Sequence, residues 1–297
     1  MSNFSSAYKK VFRKRLSPNG YRLWKSVFYR EASDDMCFFI RAFKERFSNE
    51  MHVAIDIVPY CMDLKTCEYT PGESGTHIIA FYKVLLPDIF APTARSFDNF
   101  YTERFYATDD DTVLSRLNYL GDDMENLILP YLNRLTDLHV CYDELIKLFK
   151  ENGCKDLACC FRQDELYGLS LKLHKYENAL PHLDFQLARH KDIIKGVTHR
   201  SAELRKGDLM ATFDPQLDSK IKEQLAKIIL RKNPNYMEDQ IRIGEEVICD
   251  STKEIKRLQT IKEAVLSNDH VYLDKLVEET ENNSREYLRQ VMSITKI

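Results

Sequence analysis

The sequence has little glycine or proline, with nine of each among 297 residues. Such a low content argues against collagen-like repeats, long flexible linkers and extended disorder. No segment approaches 18 uncharged apolar residues, so we predict that nothing spans a membrane. The start, MSNFSSAYKKVFRKR, has no apolar run after its charges. We therefore expect no secretory signal and a cytoplasmic location.

Neither sign of charge is in large excess, because the formal net charge is -3 and the pI is about 6.3. This balance excludes a basic footprint over the whole chain, although a local basic patch is compatible with it. The chain is 44% hydrophobic and 30% charged, which is enough to build a core and a solvated surface. Its length suggests one large domain or two of ordinary size.

Several common catalytic motifs are missing from the sequence. There is no Gly-x-Ser-x-Gly elbow, no phosphate loop ending in Gly-Lys-Ser/Thr, no Gly-x-Gly-x-x-Gly turn and no His-Glu-x-x-His pair. We therefore assign no catalytic residue and no cofactor, and we favour a protein that is not an enzyme.

The first element is predicted to be a short amphipathic helix. Its apolar residues recur at spacings of three and four and share one face: Phe4, Tyr8, Val11, Phe12 and Leu16. The turn Ser17-Pro18-Asn19-Gly20 should end the helix, because proline and Asn-Gly favour turn geometry.

The next residues alternate between apolar and polar, which predicts an antiparallel sheet. Four strands are expected, at 21–30, 36–47, 51–61 and 76–86. The short connections at 33–35 and 48–50 favour hairpins, and no helical segment lies between the strands to form parallel crossovers.

From about residue 110 the period returns to that of helices, so we predict an α+β protein with an all-helical second half. A stripe from Met124 to Leu135 should kink at Pro130. Asp214-Pro215 is expected to open a helix, and Asn268-Asp269 to separate two others. The predicted domains are 1–125, a helix with a four-stranded antiparallel sheet, and 126–297, an array of helical hairpins.

Part of the second half resembles a tetratricopeptide helix pair. In YGLSLKLHKYENALPHLDFQLARH (167–190), Gly168 lies in the first helix, and Ala179 lets the second approach closely. Tyr176 and Leu183 are expected to fill the groove between them. The resemblance extends over about 160–195, a single repeat length.

The N-terminal layout resembles an uncharacterised family of bacterial domains. A basic helix, then LSPNGY (16–21), SVFYR (26–30) and an aromatic-rich sheet follow in the family's order, over about residues 5–130. The resemblance implies a cytosolic bacterial protein without known catalytic residues. Small α+β modules of this kind occur among immunity proteins that neutralise toxins, which gives an expectation about function by analogy of fold.

Histidine and cysteine suggest metal binding in one place. His139, Cys141, Cys154, Cys159 and Cys160 lie between residues 139 and 160, and thiolates and imidazoles bind zinc. Without a Cys-x-x-Cys pair, however, buried free thiols are the favoured interpretation, and no metal is assigned.

One strand offers candidates for acid–base chemistry. His52 and Asp56 lie on the same face of the third strand, roughly 13 Å apart, so they cannot form a direct pair. His77, on the predicted fourth strand, is a neighbour that would allow a site. A hydrolase or transferase with an unfamiliar site around His52 and Asp56 is therefore one alternative function, against a solvated polar face.

Two kinds of macromolecular partner remain. Residues 1–30 contain eight Lys or Arg and no acid, and Lys14, Arg22 and Trp24 predict a surface for single-stranded nucleic acid. The competing interpretation places the cations on the solvated helix face, with Asp122-Asp123 as partners, and the rings in the core. A helical array also offers grooves for proteins, unless its helices merely cover the sheet. We favour a protein partner, with toxin neutralisation as the narrower version. The sequence gives no oligomeric state.

Overall fold

The structure is a computed structural model, which describes residues 2–44, 51–65, 69–71, 110–151, 163–214 and 216–293. In chain order the elements are α1 (Ser2–Leu16), a 3-10 turn (Ser17–Asn19), β1 (Arg22–Trp24), β2 (Val27–Ser33), β3 (Met36–Lys44), β4 (Met51–Pro59), α2 (Asp110–Asp123), a π turn (Met124–Ile128), α3 (Leu129–Arg134), α4 (Leu138–Glu151), α5 (Gln163–Lys172), α6 (Tyr176–Arg205), a second 3-10 turn (Met210–Thr212), α7 (Ser219–Lys232), α8 (Tyr236–Ser267) and α9 (His270–Ser293).

The predicted α+β class is confirmed: a helix, a four-stranded antiparallel sheet and then helices. The strand order β1-β2-β3-β4 is that of a meander. Each strand pairs with the next in sequence, as short hairpin connections dictate.

The first predicted strand is wrong in one respect, because the chain turns in its middle. Lys25 and Ser26 form a two-residue turn that brings Trp24 opposite Val27, so residues 21–30 contain β1 and the start of β2. Lys25 has a φ of 51°, in the left-handed region where glycine or asparagine is usual. The alternation of apolar and polar residues in the sequence continues through this turn, so the pattern did not reveal it. The predicted strand at 76–86 and the turn at 48–50 lie outside the described residues.

The core of the sheet lies against α1, as the helix pattern predicts. Tyr8 and Phe12 are fully buried, and the ring of Tyr8 meets that of Phe28 edge-on at 5.7 Å. The Tyr8 hydroxyl donates a hydrogen bond to the Ile40 carbonyl at 3.1 Å, which satisfies its one polar group inside the core. Burial of each such ring stabilises the fold by about 2 to 3 kcal/mol.

α1 ends where the sequence predicts. Gly20 adopts a φ of 83° and closes the turn by donating its N–H to the Ser17 carbonyl. Further along, the predicted kink near Pro130 takes the form of the π turn just before it, where the Leu129 N–H donates to the Met124 carbonyl. A wider turn accommodates the proline, which has no N–H to donate.

Three helices end in the same Schellman hydrogen-bond pattern, in which the last residues fold back on the helix. Gly207 and Asn268 occupy the left-handed position after α6 and α8, and His174 occupies it after α5, with a φ of 53°. The predicted separation of helices at Asn268 is thus confirmed. The predicted start at Asp214 is wrong: α7 begins at Ser219, because the Asp218 carboxylate accepts the Lys220 N–H as its cap.

The chain divides into two compact units. The first unit comprises Met1–Ala179 and Asp274–Ile297, and the second unit comprises Leu180–Leu273. The chain passes between them within α6 and α9. The predicted division after residue 125 stays a prediction.

Candidate functional site

The predicted nucleic-acid residues separate into exposed cations and packed rings. Lys14 and Arg22 are exposed, as are Lys10, Arg13 and Lys25. None of these five cations forms an ion pair with any residue in the described ranges. Arg15 differs, because its guanidinium is paired with Asp122, one of the acidic partners expected for this helix. The outer face of α1 therefore presents unpaired positive charge.

Trp24 is half-buried and joins the sheet to the C-terminal helix. Its indole N–H donates to the Met292 carbonyl in α9 at 2.9 Å, and the Lys25 ammonium lies 4.7 Å from the ring centroid. Tyr21 is buried, and Arg30 lies over its ring. These rings belong to the packing of the first unit, so the surface around them offers cations rather than a stacking platform.

Asp56 is buried on β4 and accepts a hydrogen bond from the Tyr69 hydroxyl at 2.9 Å. Sequence spacing did not predict Tyr69, since the contact closes a loop after the strand. The backbone of His52 lies opposite Phe43, whereas its side chain and all of His77 lie outside the described residues. The structure thus pairs Asp56 with a tyrosine, and the predicted acid–base site stays a prediction.

The cysteines and histidines of the described residues do not converge on a metal site. Among these residues no three His, Cys, Asp or Glu side chains come close enough to hold an ion. His139 is exposed and Cys141 is buried as a free thiol, and Cys154, Cys159 and Cys160 lie outside the described residues. Burial raises the pKa of the Cys37 and Cys61 thiols, which keeps them protonated and unreactive.

A charged cluster in the first unit was not foreseen from the sequence. The Lys172 ammonium lies 2.6 Å from Glu281 and 3.0 Å from Asp35, and the Arg285 guanidinium donates to the Asp34 carbonyl at 2.6 Å. Partial burial alone would lower the pKa of Lys172, but the two carboxylates beside it outweigh burial and raise it. The cluster joins α5, α9 and the β2–β3 turn, which is a structural role.

A second polar cluster lies at the α5–α6 turn and is exposed. The Tyr176 hydroxyl donates to Asp274 at 3.0 Å and lies 2.6 Å from Nδ1 of His174. Desolvation and the Asp274 carboxylate raise the pKa of Tyr176 to about 12, so its phenol stays protonated. Tyr176 is half-buried, and Ala179 and Leu183 are fully buried.

Most of the exposed large apolar side chains of the described residues lie in the second unit. Of the eleven large apolar side chains that are exposed, nine lie there, and only Leu114 and Tyr119 lie elsewhere in the described chain. The nine are Phe185, Met210, Leu217, Ile221, Leu225, Ile228, Ile243, Leu266 and Val271. We call them the apolar surface of the second unit. Exposed apolar area concentrated in one region marks a site of association.

The helices contribute to this surface unequally. α7 supplies three of its members, Ile221, Leu225 and Ile228, at spacings of four and three that place them on one face. The opposite face of α7 packs inward, where Ala226 lies with Leu204 and Leu209. The alternation of polar and apolar residues in α7 was visible in the sequence, but which face is covered was not.

Comparisons with known proteins identify no relative of this chain: no family model, curated protein or solved structure matches it. The two resemblances drawn from sequence motifs stay predictions. In the part of the chain that the structure describes, no helix has the length and apolar character needed to cross a membrane.

Proposed function

We propose that this chain is a non-enzymatic, cytosolic bacterial protein that acts by binding another protein through its second unit. The observation that carries the proposal is the concentration of exposed large apolar side chains between residues 180 and 273. Such side chains are unfavourable in water and become favourable when a partner covers them.

Three features of the first unit support a structural role for it. Several of its described phenylalanines are buried, a charged cluster links its own elements, and Trp24 is held by a backbone carbonyl. Cys37, Cys61 and Cys141 are free thiols, in agreement with a reducing compartment.

Neutralisation of a toxin is the narrower form of this proposal. It derives from the resemblance of residues 5–130 to small bacterial modules. A neutralising protein needs a surface that competes for one partner, and the apolar surface of the second unit would serve.

The proposal is tested by capture of partners from cells that express the tagged full-length chain. Two doubly substituted variants are compared, Ile221→Ser/Ile228→Ser on α7 and Leu114→Ser/Tyr119→Ser on α2. Both remove exposed apolar side chains, so neither should unfold the protein. Quantitative mass spectrometry measures the amount of a specific partner recovered with each protein. We expect recovery with the first variant to fall at least ten-fold, and recovery with the second to equal that of the wild type. Equal recovery with both variants and with wild type would contradict the proposal.

Nucleic-acid binding is a second candidate, favoured by the unpaired cations on α1. Because the rings nearby are packed, binding would depend on phosphate contacts and therefore strongly on salt. Lys10→Glu/Lys14→Glu should abolish a mobility shift with a single-stranded oligonucleotide at low salt, while Lys227→Glu should not. Absence of any shift for the wild-type protein at low salt would eliminate this candidate.

A further inference from the structure

α7 has apolar residues on its inner and on its outer face. Inside, Ala226 is buried, with Ile229 and Leu230 partly buried beside it. Outside, Ile221, Leu225 and Ile228 are exposed and, at 100° per residue, fall within about 60° of one another. We call these three residues the α7 stripe. One face of the helix completes the core of the unit, so the fold itself does not require the stripe.

The α7 stripe lies among positive charges. Between Ser219 and Lys232 the helix has five cations and one anion, a net charge of +4. Lys227 is paired with Glu223, whereas Lys220, Arg231 and Lys232 are exposed and form no ion pair with any described residue. At 100° per residue Lys220 and Arg231 flank the stripe on one side, about 90 to 110° from its centre, and Lys232 lies in line with it at the C-terminal end of the helix. These cations therefore attract a ligand that has negative charges around its apolar face.

We propose that the α7 stripe binds an acidic amphipathic helix of a partner protein, an inference that depends on the proposed protein-binding function. The apolar face of the partner helix covers Ile221, Leu225 and Ile228, and its carboxylates meet Lys220, Arg231 and Lys232. The spacing of the three residues is that of the d, a and d positions in a helix-on-helix seam. α7 is about 21 Å long, which suits a partner helix of four turns.

Two other occupants fit less well. A second copy of the chain would set one helix of charge +4 against another, and like charges oppose pairing. A membrane surface would attract the cations, but helices that lie in an interface present a wide apolar face with aromatic residues. The α7 stripe is narrow and purely aliphatic. The geometry is that of a seam for one helix.

The first experiment leaves the choice of ligand to selection. A display library of amphipathic helical peptides, with randomised charges on the polar face, is panned against the full-length protein. We expect the ratio of Asp and Glu to Lys and Arg in the enriched peptides to be at least ten-fold that of the input. Their binding, measured by fluorescence anisotropy, should weaken about ten-fold between about 50 and 500 mM salt, because salt screens the exposed charges at the edges of the seam.

Variants then locate the binding site. Leu225→Ser/Ile228→Ser should weaken the enriched peptides at least ten-fold, and Lys220→Glu/Arg231→Glu should shift the selection towards basic peptides. Lys10→Glu/Lys14→Glu, which removes unpaired cations from α1, is the matched control and should change neither result. Circular dichroism checks that all three variants remain folded.

Several outcomes would overturn the inference. They are enrichment of neutral or basic peptides by the wild-type protein, no enrichment at all, or binding that Leu225→Ser/Ile228→Ser leaves unchanged. Stripe-dependent binding to vesicles containing phosphatidylserine, without peptide enrichment, would assign the stripe to a membrane. Stripe-dependent dimers in sedimentation would assign it to a second copy. If partner capture still depends on Ile221 and Ile228 after these failures, the protein-binding proposal survives; if capture does not, both fail.

Discussion

The two units use their apolar residues in opposite ways. Among the described residues of the first unit, Phe12, Phe28, Phe38 and Phe39 are almost completely covered. In the second unit the buried apolar side chains are all aliphatic, and both units also bury polar residues, such as Asp56 and Glu281 in the first and His182 and Gln186 in the second. The second unit exposes nine large apolar side chains. A region that exposes this many large apolar side chains is organised for association as much as for its own stability.

The largest difference in the free energy of unfolding should appear between truncation of a buried side chain in the first unit and truncation of an exposed one in the second. Phe28→Ala removes a fully buried ring from the first unit and should lower the free energy of unfolding by about 3 to 5 kcal/mol, through lost burial and the cavity left behind. Ile228→Ala in the second unit should change it by less than about 0.5 kcal/mol. Urea denaturation followed by circular dichroism measures both values. Equal losses would mean that Ile228 is part of a core.

The next largest effect should come from the charged cluster around Lys172, in which a buried carboxylate can be compared with an exposed one. Glu281→Gln leaves Lys172 and Arg285 without their buried carboxylate and should cost about 2 to 3 kcal/mol. Glu279→Gln is the control on the same helix, because its exposed pair with Lys275 should contribute less than about 0.5 kcal/mol. A small effect at Glu281 would show that the cluster does not hold α9 to the sheet.

Replacing a glycine by alanine should change the free energy of unfolding in opposite directions in the two units. A Cβ at Gly168 would lie 2.9 Å from the Cys61 carbonyl oxygen, so Gly168→Ala should lower the free energy of unfolding by about 1 to 3 kcal/mol. At Gly196 no described atom lies within 4 Å, so Gly196→Ala should raise it by about 0.5 to 1 kcal/mol. Stabilisation by Gly168→Ala would contradict the close approach of α5 to residue 61.

The smallest effect concerns pH and the polar interior of the second unit. Burial lowers the pKa of His182 from 6.5 to about 4. The unfolded chain therefore binds more protons between these values, and the free energy of unfolding should fall as pH decreases through this window. Relative to His182→Gln, the free energy of unfolding of the wild type should fall more steeply as the pH decreases from 7 to 5, as measured by urea denaturation. If the free energy of unfolding depends on pH in the same way in both proteins, the pKa of His182 is not lowered in the folded protein.

The parts of the fold that could be predicted are those with a local signal. The buried face of α1, the strands β3 and β4, and the end of α8 at Asn268 follow from periodicity and turn residues. The turn at Lys25-Ser26 could not be predicted, because it lacks the usual residues and alternation continues through it. The start of α7 was misplaced because two aspartates, Asp214 and Asp218, offer similar caps.

The candidate site was harder to predict, because it depends on which faces are covered. Lys14 and Arg22 are exposed, whereas Trp24 is tied to Met292, far along the chain, by a contact that spacing does not reveal. The pairs Asp56–Tyr69 and Lys172–Glu281 are tertiary contacts without a spacing signal. The apolar surface of the second unit could not be found from the pattern either, since an apolar stripe normally predicts burial.

The most direct test of the central claim is photo-crosslinking in living cells at positions of matched exposure. p-Benzoylphenylalanine is placed at Ile228, which is 52% exposed in the second unit, or at Tyr119, which is 49% exposed in the first. If the second unit is the binding region, irradiation should give a discrete covalent adduct with another protein from position 228 and none from position 119. Adducts from position 119 alone, or none from position 228, would contradict the account.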